Sequence, residues 1–342
     1  MTGQSSLRRR WLIRGGLVIL VPLCVVVAIL SYFFTVGAVE RHEIAMPPPG
    51  LPDLAGDQNG RLGKYLVDGR LDASRIEPRF EEIRGRFDGV RIIFVPSYLS
   101  DAVIPSVELG NDLGYMAGIY SWLAEEGIDA EIADIETEDS VAANAERLVQ
   151  IVGDGTSPVC FVTHSKGGLD VMEYLRRAAP EQRDRVVCWI AMQVPFRGSP
   201  VADLARQVSG FPELMDAVLS VLGRRGESLR DLTTDVREAY LEVHRAEIAA
   251  VLETVPILCV ATYVTDPDNF ARPTSWSYPT LLWMHGNDVP SDGLVPVRSA
   301  TDICPRSITL EGLDHTGIVA PGLIAPIDQT ALMRLLLFFV RG

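Results

Sequence analysis

The stretch Cys160–Leu175, CFVTHSKGGLDVMEYL, places a serine between an apolar run typical of a buried strand and a run with helical spacing. A serine at the tip of such a tight strand-to-helix turn projects its hydroxyl above the edge of the sheet. The helix that follows directs backbone N–H groups and the positive end of its dipole at the same place. Small residues must flank so sharp a turn, and Gly167 and Gly168 do so on the far side. We therefore predict that Ser165 is a nucleophile.

Before the serine, the sequence departs from the G-x-S-x-G pattern of nucleophile elbows, because Thr163 stands where the first glycine is usual. A purely structural corner between strand and helix is therefore an alternative interpretation. His164 precedes the serine on the strand, where neighbouring side chains face opposite ways, so we expect a packed core histidine. Lys166 is expected to contribute its backbone N–H, with its side chain either solvated or paired.

Strand-like and helical runs alternate from residue 90 onward. The predicted strands are VRIIFVP, IDAEIADI, PVCFVTH, RVVCWIAMQVP, VPILCVATYV, TLLWMHG and SITLEGL, and the predicted helices are residues 109–126, DSVAANAERLVQIVG, residues 167–179 and DQTALMRLLLFFV. Apolar strands alternating with helices predict an α/β domain with a mostly parallel central sheet flanked by helices. We assign residues 57–342 to this domain, with 199–252 as a helical, charge-rich insert.

Two later segments contain the partners that a nucleophilic serine needs. Asp292 lies in NDVPSDGLVPVRSA (Asn287–Ala300), just past a predicted strand, and His315 lies in LEGLDHTGIVAP (Leu310–Pro321), just past the last predicted strand. Serine, acid and histidine follow one another in the chain order of a Ser-His-acid triad on an α/β sheet. Because ligands meet open α/β sheets at the carboxyl ends of the strands, we expect the three side chains to meet there.

Several residues compete for these roles, since loop geometry cannot be read from sequence. Asp288 is a rival acid and His285 is a weak rival base. His244 is predicted to lie on a helix surface, and Asp314, beside the candidate base, is predicted to be a solvated loop acid. The Arg-Gly-Ser-Pro run at 197–200 is interpreted as structural, shaping a turn.

Together these segments resemble the α/β-hydrolase superfamily, specifically its bacterial triacylglycerol lipase/esterase-like branch, over residues 88–342. HSKGG resembles the nucleophile elbow, VPFRGSPVADL the strand-end run with Arg-Gly-Ser-Pro, and SDGLVPVRSA and LDHTGIV the acid and histidine loops. The resemblance implies an α/β-hydrolase fold, and the position of the 199–252 insert in the chain predicts that it forms a helical cap. It also implies a serine hydrolase that cleaves carboxylic esters through an acyl-enzyme intermediate, with no metal or organic cofactor.

The resemblance also indicates the oxyanion donors. In lipases the loop after the first of these strands commonly contains His-Gly, whereas FVPSYLSD has Pro96 and Ser97 there. By position, the first donor is expected to be the backbone N–H of Tyr98, with Leu99 as the fallback. The second donor is expected to be the backbone N–H of Lys166.

The insert lies between the part of the chain with the serine and the part with the acid and histidine. In FPELMDAVLSVLG (Phe211–Gly223) the apolar residues recur at helical spacing and form one stripe. Two interpretations stay open. The stripe belongs to a mobile lid over the serine, or it packs on the domain core.

Three functional classes follow from these features. The first is an exported, membrane-tethered esterase or lipase. The second is an acyltransferase or polyester depolymerase that uses the same triad. The third is a non-catalytic binding protein with the hydrolase fold, which the complete set of serine, aspartate and histidine disfavours, although fold alone would not decide. The expected partner is an ester or lipid substrate, and no protein partner is predicted.

The N-terminus predicts a membrane anchor. Residues 1–14 are rich in arginine, and residues 15–39 are uncharged and apolar. At about 1.5 Å per residue such a helix crosses a hydrocarbon layer of roughly 30 Å. The basic end should stay cytoplasmic, which makes a single-pass protein whose domain is outside, after a Pro/Gly-rich linker at 40–56. A signal peptide cleaved near Ala38 is the alternative, although apolar signal regions usually span about 7–15 residues.

Charge and cysteine content restrict the partners further. The formal net charge is −14 despite the basic N-terminus, and an acidic domain argues against a nucleic-acid partner because phosphate binding needs basic patches.

Outside the predicted anchor lie Cys160, Cys188, Cys259 and Cys304. Their even number in an exported domain permits disulfides, whereas the strand-like surroundings of three of them are also typical of buried free cysteines. No CxxC pair or His/Cys cluster predicts a metal site.

Overall fold

The computed structural model describes residues 58–67, 70–98, 100, 116–207, 228–267, 277–319 and 327–342. The predicted cytoplasmic N-terminus at 1–14, the membrane anchor at 15–39 and the linker at 40–56 lie outside these ranges and stay predictions. Within the ranges, no helix has the length and apolar content that crossing a membrane requires.

Among the described residues, two strands form a short antiparallel hairpin and six form a parallel sheet. In chain order the strands are β1 (Leu66–Val67), β2 (Arg70–Leu71), β3 (Arg91–Val95), β4 (Ala130–Ile132), β5 (Val159–His164), β6 (Val186–Met192), β7 (Ile257–Tyr263) and β8 (Ser307–Glu311). The order across the large sheet is β4-β3-β5-β6-β7-β8. This parallel sheet confirms the predicted α/β class with a mostly parallel central sheet.

The connections between the strands are mainly helical. The described helices are α1 (Asn59–Leu62), α2 (Ala73–Ile83), α3 (Ala117–Glu125), α4 (Val141–Val152), α5 (Lys166–Arg177), α6 (Pro180–Arg183), α7 (Pro200–Gln207), α8 (Ser228–Asp231), α9 (Thr234–Val243), α10 (Arg245–Thr254), α11 (Tyr278–Gly286), α12 (Val297–Thr301) and α13 (Gln329–Arg341), with short 3₁₀ turns at Gly63–Tyr65 and Arg84–Phe87.

Helices cover both faces of the sheet, because successive strand side chains point to opposite sides and both sides are apolar. Ile92 and Phe94 of β3 pack in one core with residues of α2, α3 and α13. Their neighbours Ile93 and Val95 pack in a second core with residues of α4, α5 and α10. The continuous apolar runs of the sequence are thereby explained, since strands buried on both faces need no polar alternation.

One predicted strand is wrong. TLLWMHG is part of helix α11, which begins at Tyr278 with Pro279 in its first turn. Leu281 and Met284, three residues apart, are buried on one side of this helix. Short apolar runs do not distinguish strand from buried helix by periodicity, and proline suits a helix start. Asp292 therefore follows a helix, and its loop is joined to the end of β7 because Val264 N–H donates to Ser291 O, 3.1 Å away.

The described parts of the 199–252 insert are helical and pack on the domain. Helix α10 contributes Ile248 and Val251 to the core that also contains α5. From α9, the hydroxyl of Tyr240 donates to Glu173 on α5, over 2.6 Å. The apolar stripe predicted in Phe211–Gly223 lies outside the described residues, so a lid there stays a prediction.

The four cysteines whose pairing the sequence left open form two buried disulfides. Cys160–Cys188 joins the adjacent strands β5 and β6. Cys259–Cys304 joins β7 to the segment before β8. Disulfides of this kind persist in oxidising compartments such as the periplasm or the cell exterior.

Removing a disulfide should lower the free energy of unfolding. The bridges span sequence separations of 28 and 45 residues, for which loop-closure entropy gives at most about 3.5–4 kcal/mol each. Urea unfolding of the Cys160→Ala/Cys188→Ala variant should show a loss approaching that size. In denatured, unreduced protein a thiol reagent should modify Cys24 alone, and modification of all five cysteines before reduction would contradict both bridges.

The start of helix α5 lies unusually close to its neighbours, and this explains the two glycines after Ser165. A Cβ on Gly167 would lie 2.4 Å from Val95 O, and one on Gly168 would lie 2.1 Å from Val194 Cγ2. Contacts this short cannot be accommodated without movement of the neighbour. The absence of a side chain at both positions therefore lets α5 begin against β3 and the segment after β6.

Gly168→Ala should destabilise the protein by about 1–3 kcal/mol, because overpacking outweighs the better helix propensity of alanine. Gly118→Ala on α3 is the matched control: nothing lies within 4 Å of that Cβ, so the change should be neutral or stabilising. Adding Val194→Ala to Gly168→Ala removes the clashing methyl groups. Urea unfolding should then show a combined loss smaller than the sum of the single losses, whereas simple additivity would refute the contact.

Candidate active site

Ser165 stands at a strained turn between β5 and α5. Its backbone has φ 52° and ψ −127°, a positive φ that is uncommon for a residue other than glycine. The turn is held by the Ser165 N–H, which donates to Met192 O over 2.9 Å, and by the Ser165 carbonyl, which accepts from Gly168 N–H over 3.0 Å. Strained backbone of this kind concentrates at functional sites.

Three side chains that are distant in sequence meet at this turn. His315 Nε2 lies 3.0 Å from Ser165 Oγ, and His315 Nδ1 lies 2.8 Å from Asp292 Oδ2. All three residues are buried, with 7% or less of each exposed. The arrangement of serine, imidazole and carboxylate is the one that activates a serine nucleophile.

A tight loop holds the carboxylate. Asp292 Oδ1 accepts from the backbone N–H groups of Leu294 and Val295, over 2.9 and 2.7 Å, which leaves Oδ2 for His315. Gly293 has φ 95°, so this turn needs glycine. The backbone N–H of His315 also donates to Asp292 O over 2.9 Å. The acid and histidine loops are thus joined by their main chains as well as by their side chains.

The rival residues lie elsewhere in the structure. Asp288 donates its backbone N–H to His285 O at the end of α11, and Asp292 is the acid that contacts His315. Between α9 and α10, His244 Nδ1 lies 2.7 Å from a Glu247 oxygen, at the partly exposed position expected of it.

Asp314 corrects the sequence interpretation, because it is fully buried and not solvated. Its Oδ1 accepts from the Thr316 hydroxyl over 3.1 Å, and its carbonyl accepts from the side chain of Gln193 over 3.2 Å. Local sequence gave no sign of this burial, since DHT is typical of a polar loop. The burial arises from the loop packing against the ends of β6 and β7.

The Lys166 side chain is buried and paired. Its Nζ lies 2.9 and 3.0 Å from the two carboxylate oxygens of Asp170, one helical turn further along α5. Asn144 on α4 donates to the same carboxylate over 3.1 Å. Burial, only partly offset by Lys166, raises the pKa of Asp170 to about 6. The Lys166 backbone N–H lies in the first turn of the helix, where N–H groups have no intrahelical acceptor.

Tyr98 lies in a turn shortly after β3, with its side chain half-buried. The nearby Pro96 carbonyl is so close to the start of α5 that a Cβ on Gly167 would lie 2.5 Å from it. The loop after β3 therefore begins beside the Ser165 turn. The fallback donor, Leu99, lies outside the described residues, and the oxyanion role of Tyr98 stays a prediction.

The Arg-Gly-Ser-Pro run supports the acid loop. Ser199 Oγ donates to Leu294 O over 2.6 Å, and Ser299 Oγ donates to Gly198 O over the same distance. Gly198 has φ 84°, and its Cβ would lie 2.6 Å from the backbone of Thr234 on α9. The run thus forms a turn, as expected, and it joins the insert to the loop that carries Asp292.

Among the described ranges, no group of three or more His, Cys, Asp and Glu residues is arranged to hold a metal ion. Sequence reasoning also missed Gln193, a fully buried residue at positive φ beside the histidine loop. The only local signal was a polar residue between the apolar run of β6 and a proline.

Solved structures with similar folds include bacterial lipases and an esterase. The metagenomic carboxyl esterase MGS0156 is 20% identical over 74% of this chain and 75% of its own, with a TM-score of 0.58. The mature Bacillus licheniformis lipase BlEst2 is 19% identical over 72% and 91%, with a TM-score of 0.52. The Staphylococcus hyicus lipase is 12% identical over 74% and 94%, with a TM-score of 0.53.

No protein-family model matches the sequence, and no curated protein matches it. At the identities of the solved structures, the likeness concerns the fold. The parallel sheet order and these structural likenesses together show that the chain has the fold of these esterase and lipase structures.

Proposed function

We propose that the protein is a serine carboxylic-ester hydrolase of the lipase/esterase type. The observation that carries the proposal is the pair of hydrogen bonds from Ser165 Oγ to His315 Nε2 and from His315 Nδ1 to Asp292, at 3.0 and 2.8 Å. A nucleophile, a base and a group that orients the base are what acyl transfer through a serine ester requires. The likeness in fold to a carboxyl esterase and to lipases supports the same class.

In the first half of the reaction, Ser165 Oγ attacks the ester carbonyl carbon while His315 Nε2 takes the hydroxyl proton. Asp292 orients the imidazole and stabilises the cation that forms. The carbonyl oxygen becomes an oxyanion, for which the backbone N–H groups of Lys166 and Tyr98 are the proposed donors. The bond to the leaving alcohol then breaks, and His315 returns the proton to that alcohol.

In the second half, water replaces the alcohol. His315 takes a proton from water, the hydroxide attacks the acyl-enzyme carbonyl, and the acid leaves as Ser165 recovers its proton. The N-terminus of α5 faces the reacting oxygen and favours developing negative charge there. The buried pair of Lys166 with Asp170 keeps the lysine ammonium engaged within the helix, so Lys166 acts through its backbone.

Ser165→Ala should strongly reduce activity on p-nitrophenyl esters of graded chain length. We expect kcat/KM to fall by about 10³-fold or more, because only binding and oxyanion stabilisation remain. A fluorophosphonate probe should label the full-length wild type and leave the variant unlabelled. Ser157→Ala, at an exposed serine before β5, is the matched control and should retain labelling and hydrolysis. Full labelling of Ser165→Ala would refute the assignment of the nucleophile.

The same assay distinguishes hydrolysis from acyl transfer. An acyltransferase or polyester depolymerase would use the same acyl-enzyme, with an alcohol replacing water in the first case and a polymer supplying the ester in the second. With glycerol added in excess, we expect free acid to remain the main product. Predominant formation of a glycerol ester would reassign the protein to the acyltransferases, and hydrolysis restricted to polymeric esters would reassign it to the depolymerases.

We also propose that the 199–252 insert forms a cap that selects the acyl chain. Its place in the chain, between Ser165 and the two loops that carry Asp292 and His315, supports this proposal. The contact of Ser199 with the acid loop, described above, ties its first residues to the site. The dependence of kcat/KM on ester chain length is the property that such a cap would set.

We propose further that residues 15–39 hold the domain on the outer face of the cytoplasmic membrane. The apolar run and the arginines before it support this location. The two disulfides support it as well, since intracellular thiols are usually kept reduced.

Protease added to spheroplasts of a bacterium expressing the full chain should digest the domain and spare cytosolic proteins. The expectation follows from arginines on the cytoplasmic side of an apolar span. Digestion only after lysis would place the domain inside the cell and refute the topology. Recovery of a soluble form that begins near Val39 would show instead that the N-terminus is a cleaved signal peptide.

A further inference from the structure

Gln193 combines an unfavourable backbone with complete burial. It directly follows β6, has φ 52° and has no exposed surface. Glycine is the residue that adopts a positive φ easily, so a buried glutamine there needs a compensating role for its side chain. Its backbone N–H donates to Val260 O on β7 over 2.6 Å. The preceding carbonyl, that of Met192, accepts from Ser165 N–H and holds the serine turn.

The Gln193 carboxamide connects three separate segments. Its Nε2 donates to Thr262 Oγ1 at the end of β7 and to the carbonyl of Asp314, 3.2 Å away. Its Oε1 lies 2.8 Å from His164 Nε2 at the end of β5. Both N–H donors and the carbonyl oxygen of the amide are therefore used.

This geometry fixes the proton on His164 without any need to see hydrogens. The Asp314 carbonyl can only accept, so the carboxamide must turn its nitrogen toward it and its oxygen toward His164. An oxygen facing His164 requires a proton on Nε2 of that ring. The same Nε2 lies 3.1 Å from the carbonyl of His315, so its N–H also faces the backbone of the proposed base.

The His164 ring packs beside the ring of His315, with centroids 4.7 Å apart and planes inclined by 38°. Burial lowers the pKa of His164 well below its usual value, and the nearby His315 lowers it further. A neutral ring is what this place requires, because His315 becomes a cation when it takes the serine proton. A second cation at that distance in a buried site would oppose this proton transfer.

We propose that Gln193 is a positioning residue for the ester hydrolysis proposed above. Its carboxamide holds the backbone of Asp314 and the ring of His164, and through both it sets His315 against Ser165. The inference rests on the proposed function, in which His315 is the base. Displacement of a reacting group by about 1 Å can lower a rate by about 10²-fold, so small losses of support here should be visible in turnover.

The direct test is Gln193→Glu in the full chain. The change keeps the shape and replaces the donor that faces the Asp314 carbonyl with an acceptor. We expect kcat to fall by about 10–100-fold with KM within about twofold, and the rate of fluorophosphonate labelling to fall in parallel with kcat.

Gln329→Glu is the matched control. Gln329 is also buried, and its Nε2 donates to Ile318 O over 3.0 Å in the loop that follows His315. The same chemical change there removes a donor to that loop without touching His164 or Gln193, so kcat should stay near that of the wild type. Equal losses of kcat and of melting temperature in both variants would mean that Gln193 is only structural, and would overturn the inference.

A pair of substitutions at His164 keeps the test decisive if Gln193→Glu does not fold. His164→Gln retains an N–H donor near the position of Nε2, whereas His164→Leu has none. We expect His164→Gln to recover most of the kcat that His164→Leu loses. Equal turnover in these two variants would contradict a role for the hydrogen bond to Gln193.

Proton NMR supplies a readout that does not depend on activity. The His315 Nδ1 proton, hydrogen-bonded to Asp292, should give a far-downfield signal in the wild type and in Gln329→Glu. The signal should shift or broaden in Gln193→Glu. If the wild type hydrolyses no ester but the signal responds in this way, the proposed function fails and the positioning stands. Unchanged kcat and an unchanged signal in folded Gln193→Glu would refute the positioning and leave the proposed function intact.

Discussion

The site depends on one constraint, the close approach of helix α5 to the ends of β3 and β6. The chain can enter the helix directly from β5 only if Ser165 takes a positive φ and the second and third residues after it lack side chains. Gly167 and Gly168 meet that need against Val95 and Val194. The strain at Ser165 is offset by the packing of the strand and helix on either side, which are among the most completely buried elements of the chain.

The partners of the serine are held mainly by backbone groups. Two N–H groups of its own turn orient Asp292, and the main chains of the acid and histidine loops bond to each other. Gln193 holds the histidine loop through a hydrogen bond to the Asp314 carbonyl, and its carboxamide also bonds to side chains at the ends of β5 and β7. Loops built in this way place side chains with little freedom, which is the preorganisation that acyl transfer needs.

Helix α5 also carries two buried charged side chains next to Ser165, and they pair with each other. Lys166 and Asp170 sit one turn apart on α5, and Asn144 completes the coordination of the carboxylate. Removing one member of such a pair would leave an uncompensated buried charge, so each of the two residues requires the other. This accounts for a lysine beside the serine whose side chain takes no part in the proposed chemistry.

The structure brings Asp292 and His315 to Ser165, as their chain order suggested. Local sequence was sufficient to predict the parallel sheet and the serine turn, because apolar runs and small residues are local features. It was insufficient where a residue's environment comes from distant segments. TLLWMHG is a helix whose Leu281 packs with Val264 after β7, and Asp314 is buried because its loop packs against two strand ends. Tertiary structure alone decided the hydrogen-bonding role of Gln193 and the pairing of the four domain cysteines. Only the folded sheet brings their partners, up to 121 residues away, within bonding distance.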